Sequence, residues 1–241
     1  MYPLDSSRRS FFRLGYGALG LAASIGSLSS RASDGPKTTM TPAQALARLK
    51  KGHDDFLNDK PSLKTMRDKD RRLAIARAQV PFAVLVGCSD SRVPPELLFD
   101  TGLGELFIVR NAGNTIDTVA MGSIQYAVQV LNVPLILVLG HERCGAVDAA
   151  VSVVEKNTVY PGSIGQMVEP IIPAVLKAKA MGAKTAEDLL DGAVRENVRR
   201  TVERLRTAEP SMIDPIKAGK LMVVGARYDL DDGNVDFFLE S

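Results

Sequence analysis

Cys88, Asp90 and Arg92 fall within the run Cys-Ser-Asp-Ser-Arg, and His141 and Cys144 within Gly-His-Glu-Arg-Cys-Gly. The chain of 241 residues holds only two cysteines and two histidines. Any Cys/His metal site must therefore draw on very few candidates, and two cysteines cannot build a disulfide framework. Two thiolates and one imidazole are soft or borderline donors, which favour zinc over magnesium or calcium. Zinc takes four ligands: a fourth protein ligand closes the site, whereas a water there leaves it able to do chemistry. No third cysteine exists, and the other histidine, His53, reads as a solvent-facing residue of an N-terminal helix. The fourth position then belongs to water or to a carboxylate, and Asp90 is the obvious carboxylate.

Arg92 follows Asp90 by two positions, a spacing that allows a bidentate ion pair. A carboxylate held in that way accepts a hydrogen bond from a metal-bound water and stays off the metal. Released, it becomes the fourth ligand of a closed site. Plainer readings exist for the same residues. The cysteines also suit buried core thiols or a redox pair, because Cys88 ends an apolar run where free cysteine behaves as a small hydrophobe.

Four short apolar runs, 82–87, 106–109, 135–139 and 221–224, suit fully buried strands. Helical patterns lie around them at 41–58, 68–79, 118–131, 146–155, 164–179 and 186–205, the first opened by an N-cap Thr41 and Pro42. Strands alternating with helices predict an α/β fold, with a mainly parallel central sheet and helices on both faces. Asp232-Gly233 separates Arg227-Tyr228 from 235–239, which predicts a hairpin and a C-terminal antiparallel edge strand. Cys88 and His141 each follow one of the strands directly. In open α/β sheets ligands bind outside the carboxyl ends of strands, where the strand order switches.

Composition excludes little else. Hydrophobic residues make up 45% and charged residues 24%, and a net charge of +2 leaves no strongly basic domain for nucleic acid. Arg8-Arg9 with Phe11, a weakly apolar run at 14–28 and small residues near Ala32 have the layout of an export signal of twin-arginine type. The run is short and diluted by glycine and serine for a membrane span, so no stable membrane anchor is expected. The sequence thus divides into a signal peptide at 1–32, a polar linker at 33–40 and one α/β domain at 41–241. Its expected location is periplasmic or otherwise exported. Export in the folded state would let a two-thiolate site assemble in the reducing cytoplasm before meeting an oxidising compartment.

The two runs quoted first resemble the two signatures of the β-class carbonic anhydrases. The Arg110-Asn111-Ala112-Gly113-Asn114 segment and Gly225-Ala226-Arg227-Tyr228-Asp229-Leu230 extend the likeness across most of 41–241. The resemblance implies reversible hydration of carbon dioxide to bicarbonate by attack of zinc-bound hydroxide. It makes Cys88, His141 and Cys144 the ligands of one zinc ion per chain, and Asp90 and Arg92 a catalytic dyad. It makes Gln79, Phe107, Tyr126 and Gly145 contacts for substrate in the manner of plant-like members. Read without the family, Phe107 and Tyr126 are core residues, Gln79 is a polar helix end and Gly145 is a tight turn. Some members carry a tryptophan in a non-catalytic bicarbonate site; this chain has none. The family also implies a homodimer or higher homo-oligomer with the pocket at a subunit boundary. The alternatives are a carbonyl sulfide or carbon disulfide hydrolase on the same scaffold and a non-catalytic zinc or redox-sensing protein.

Overall fold

The structure, a computed structural model, describes residues 35–60 and 68–240. The expected export signal and the first linker residues lie outside the described residues. Residues 36–41 carry neither helix nor strand. The chain then forms α1 (Pro42–Leu57), with Pro42 in the first turn. Thr41 accepts a hydrogen bond from the Gln44 N–H while the Gln44 side chain accepts one from the Thr41 N–H, so two N-terminal donors are satisfied.

Among the described residues one five-stranded sheet runs in the order β2 (Leu106–Arg110), β1 (Ala83–Gly87), β3 (Leu135–His141), β4 (Met222–Tyr228), β5 (Val235–Leu239). The first four strands are parallel neighbours, and β5 returns antiparallel to β4. The α/β class, the parallel sheet and the antiparallel edge strand agree with the sequence reading. Period-two alternation sends successive strand residues to opposite faces. Val84, Val86, Ile136, Val138 and Val223 pack with Ile124, Val198 and Leu205 on one face. Ala83, Leu85, Leu135, Leu137 and Val224 pack with Leu46, Leu49 and Phe99 on the other. All five residues of β1 and all seven of β3 are buried, as expected of central parallel strands covered on both sides.

The other α-helices among the described residues are α2 (Lys69–Ile75), α3 (Pro95–Leu98), α4 (Thr118–Gln129), α5 (Gly145–Lys156), α6 (Gly162–Val168), α7 (Ile172–Ala180), α8 (Ala186–Thr207) and α9 (Pro210–Lys217). Three departures from the sequence reading have physical causes. The helix expected at 164–179 is split by a 3-10 turn at Glu169–Ile171, because Pro170 and Pro173 have no N–H for the helical ladder. The helix expected at 68–79 stops at Ile75 and buries no residue, so nothing beyond its Asp68 cap supports a longer one. Two proline-initiated helices, α3 and α9, are too short to show a period in the sequence.

His53 is the clearest correction. It is not solvent-facing but 4% exposed. Its Nε2 accepts the Val235 N–H at 3.0 Å, so Nδ1 carries the ring proton and donates to the Leu98 carbonyl at 3.1 Å. The ring joins α1 to α3 and β5 and lies near Phe56 and Phe99, with centroids 6.0 Å away in each case. Leaving those two buried backbone groups unpaired would cost about 2–6 kcal/mol. Helical spacing alone could not show that strand β5 closes over this residue.

Candidate metal centre

β2 lies on one side of β1 and β3 on the other, so the strand order reverses between β1 and β3. Gly87 pairs with Leu139, which places Cys88 beside the last residues of β3, where His141 stands. A turn then leads into α5, with Arg143 in the left-handed region at φ 49 and Cys144 as the N-cap. The donor atoms of Cys88, His141 and Cys144 all lie within 4.8 Å of one another, and all three residues are buried. The thiols are free, with sulfurs 3.9 Å apart.

The trio fits a zinc ion on its own geometry. His141 Nδ1 lies 2.8 Å from the Glu142 carbonyl and donates to it, which leaves the Nε2 lone pair facing the thiols. Nε2 is buried and has no hydrogen-bond partner, a costly arrangement unless a cation sits there. Two sulfurs bound at ~2.3 Å to one tetrahedral zinc stand roughly 3.8 Å apart, close to the spacing seen. The hydrogen bond from Cys144 is the main cause that brings the Cys88 thiol down to about 4, with the His141 side chain and the N–H groups of Gly113 and Asp90 assisting against burial. The same bond, then burial, pushes Cys144 up, while the first-turn N–H groups of Ala146 and Val147 pull the other way.

Asp90 stands beside the trio and is not one of the clustered donors. Its Oδ1 accepts the Arg92 Nε–H at 3.0 Å and the Arg92 backbone N–H at 2.9 Å, and its Oδ2 accepts Arg92 Nη2 at 2.8 Å. This bidentate pair holds the carboxyl far below the usual carboxylate range. Oδ2 remains 3.7 Å from His141 Nε2, so the ion pair leaves one carboxylate edge facing the metal position. Gly145 is the first residue of α5, with no positive φ and nothing within 4 Å of where a Cβ would be. The turn expected at Gly145 is made by Arg143 instead, and Gly145 keeps space open beside Cys144.

The other expected substrate contacts do not meet the trio within one chain. Gln79 is exposed just before the amino end of β1, and Phe107 pairs with Val84 near that same end. At ~3.3 Å per residue, the length of β1 separates both from Cys88 by more than 10 Å. Phe107 lies 6.5 Å from Tyr126, ring to ring, at the β2 edge, where Tyr126 is 38% exposed.

Three further residues hold the site. Arg110, at the end of β2, donates from Nε to the Cys88 carbonyl at 2.8 Å and from Nη2 to the Asp90 carbonyl at 2.5 Å, which fixes the 88–90 loop. Gly113 donates its N–H to Cys88 Sγ at 3.3 Å, and Asn197 of α8 donates to the Gly113 carbonyl at 2.8 Å. Arg110 and Gly113 fall in a segment that the family likeness covers, but their roles depend on the parallel pairing of β1 with β2. No sequence signal marks Asn197.

A family description of carbonic anhydrase matches residues 83–235. Carbonic anhydrase 2 of Mycobacterium tuberculosis is 41% identical over 192 residues, 80% of this chain and 90% of that protein. A carbonic anhydrase of Mycolicibacterium smegmatis is 40% identical, covering 81% and 92% of the two chains. Among solved structures, a Coccomyxa β-carbonic anhydrase in complex with acetazolamide superposes with a TM-score of 0.64 at 29% identity over 80% of this chain and 84% of that one. A tetrameric β-carbonic anhydrase of Sordaria macrospora shares the fold at TM-score 0.65 and 22% identity, covering 81% and 94%.

A metal-fitting trio at the switch point of this sheet defines an α/β enzyme of the β-carbonic anhydrase fold. The chain belongs to the carbonic anhydrase family, the enzymes that hydrate carbon dioxide.

Cys144→Ser should abolish stoichiometric zinc binding while the fold survives, because the remaining Cys88 and His141 give too few donors. Metal analysis of the purified variant after gel filtration checks this; a variant that retains one zinc per chain would remove Cys144 from the ligand set.

Proposed function

We propose that this chain is a zinc-dependent carbonic anhydrase whose metal is held by Cys88, His141 and Cys144. The observation that carries the reading is the buried, partnerless His141 Nε2 facing two free thiols whose sulfurs lie 3.9 Å apart. Zinc held there by Cys88, His141 and Cys144 would supply Lewis acidity, which makes water nucleophilic near neutral pH.

The remaining work falls to side chains. Arg92 keeps both carboxylate oxygens of Asp90 occupied, so Asp90 is held off the metal rather than closing the site as its fourth ligand. Asp90 Oδ2, on the edge facing His141, accepts a hydrogen bond from the attacking water and turns its lone pair toward the carbon of carbon dioxide, a positioning effect. Gly145 leaves room for the substrate oxygens, and its N–H, in the first helical turn, has no helical acceptor. Arg110 keeps the 88–90 loop from drifting by tying its carbonyls to the end of β2.

Gln79, Phe107 and Tyr126 contact substrate, in this reading, from a second copy of the chain. Two features support a homo-oligomer. Among the described residues β2 is an edge strand with no strand paired on its outer side, and Val119 and Tyr126 stand exposed beside it on α4. Such an edge invites pairing with another chain. Among the described residues no helix is long and apolar enough to cross a membrane. The paired arginines and apolar run near the N-terminus support export through the twin-arginine route, with the mature chain beginning near Ser33.

Asp90→Asn should keep zinc at full occupancy and lose carbon dioxide hydration by about 100-fold or more, since the amide can donate to the water and no longer orients it as an acceptor. Stopped-flow hydration by the zinc-loaded protein between pH 7 and 9 measures this, and an unimpaired variant would remove Asp90 from the mechanism. Sedimentation at micromolar concentration should give a dimer or a multiple of it; a monomer with full activity would refute the shared pocket. Cell fractionation should find a shortened chain outside the cytoplasmic membrane, and an uncut cytosolic chain would contradict export.

A further inference from the structure

Cys88 is supported from a direction that its role as a ligand does not explain. Gly113 sits in a 3-10 turn, Ala112–Asn114, that follows β2, and has φ 67 and ψ 24. A Cβ there would come within 2.7 Å of Ile171 Cδ1 and 3.2 Å of the Ala146 Cβ, and the positive φ adds strain for any other residue, so the position favours glycine. Glycine is also the residue about which the two flanking peptides turn most freely. One of those peptides presents its N–H to Cys88 Sγ at 3.3 Å. The other presents the Gly113 carbonyl to Asn197 Nδ2 at 2.8 Å. Asn197 is 4% exposed and comes from α8, which reaches the turn from outside the loops that carry the donor trio. A buried amide on a helix is expensive unless its bond matters to what it holds.

We propose that Asn197 is a positioning residue for the Cys88 thiolate. Its amide fixes the Gly113 carbonyl, which keeps the Gly113 N–H on Cys88 Sγ and sets how strongly that sulfur donates to a bound metal. An N–H···S bond draws electron density from the thiolate, so losing it leaves a stronger but less well oriented donor. The proposal rests on the reading that Cys88 is a metal ligand. Groups that orient a ligand from behind typically change metal affinity by about 10–100-fold when removed.

Cobalt(II)-substituted protein tests this, because its sulfur-to-cobalt charge-transfer band reports the thiolate donor directly. Asn197→Leu, with the same branched skeleton of side-chain heavy atoms, and Asn197→Ala, which is smaller, both remove the donor; the second serves if the first does not fold. The expected result is a shift of the band to longer wavelength and release of the metal to a chelator faster by about 10-fold. Thr201→Val is the control: Thr201 is 8% exposed, one turn further along α8, and the substitution leaves the Asn197–Gly113 bond in place. It should move neither reading. A wild-type band that the Asn197 variants leave unmoved, or that Thr201→Val moves equally, overturns the proposal alone. Wild-type protein without any sulfur-to-cobalt band would overturn the metal reading, and this inference with it.

Discussion

Everything at the site depends on the parallel pairing of β1 with β3 across the point where the strand order reverses. That pairing sets Cys88 and His141 side by side although they are far apart in sequence. A slip of one residue would turn every side chain of a strand to the opposite face. The slip is opposed by both faces at once, because each face of β1 and β3 is packed into its own apolar cluster. The hydrophobic core thus does more than stabilise the domain. It fixes the register that brings two thiols and an imidazole within the span of one small cation.

Around that register the polar groups divide the labour by burial. The thiols and His141 are buried and carry the metal-fitting geometry. Asp90 and Arg92 are more exposed, and their pairing is bidentate, which gives it direction as well as charge. In the proposed mechanism that direction is the functional point: the carboxylate faces the metal position with one edge while the guanidinium occupies both of its oxygens. The turn from β3 into α5 is secured separately. Arg143 pairs with Asp231 through two bonds, and Glu142 accepts the Leu230 N–H, so the His141–Cys144 turn is tied to the segment after β4.

Much of this was legible in the sequence, for stated reasons. The continuous apolar runs marked β1, β3 and the start of β4, because strands buried on both faces show no alternation. The scarcity of cysteine and histidine singled out the trio, and the spacing of Asp90 and Arg92 announced their pairing. What escaped depends on contacts between distant elements. His53 had ordinary helical spacing, and its burial comes from β5 and α3. Pro170 and Pro173 were visible, yet the apolar pattern around them favoured one continuous helix. Arg110, Gly113 and Asn197 act through backbone groups of other segments, and such bonds leave no mark of residue type. Gln79, Phe107 and Tyr126 were joined to the site by family likeness, and within a single chain the length of β1 keeps Gln79 and Phe107 away from it.

The central claim is that Arg92 holds Asp90 off the metal, leaving the fourth position to water. A crystal structure of the zinc-loaded protein at neutral pH tests it most directly. The account predicts zinc on Cys88, His141 and Cys144, with Asp90 still in its two-pronged pair with Arg92 and a water as the fourth ligand. An Asp90 oxygen turned away from Arg92 and bound to zinc at about 2.0–2.2 Å would contradict it.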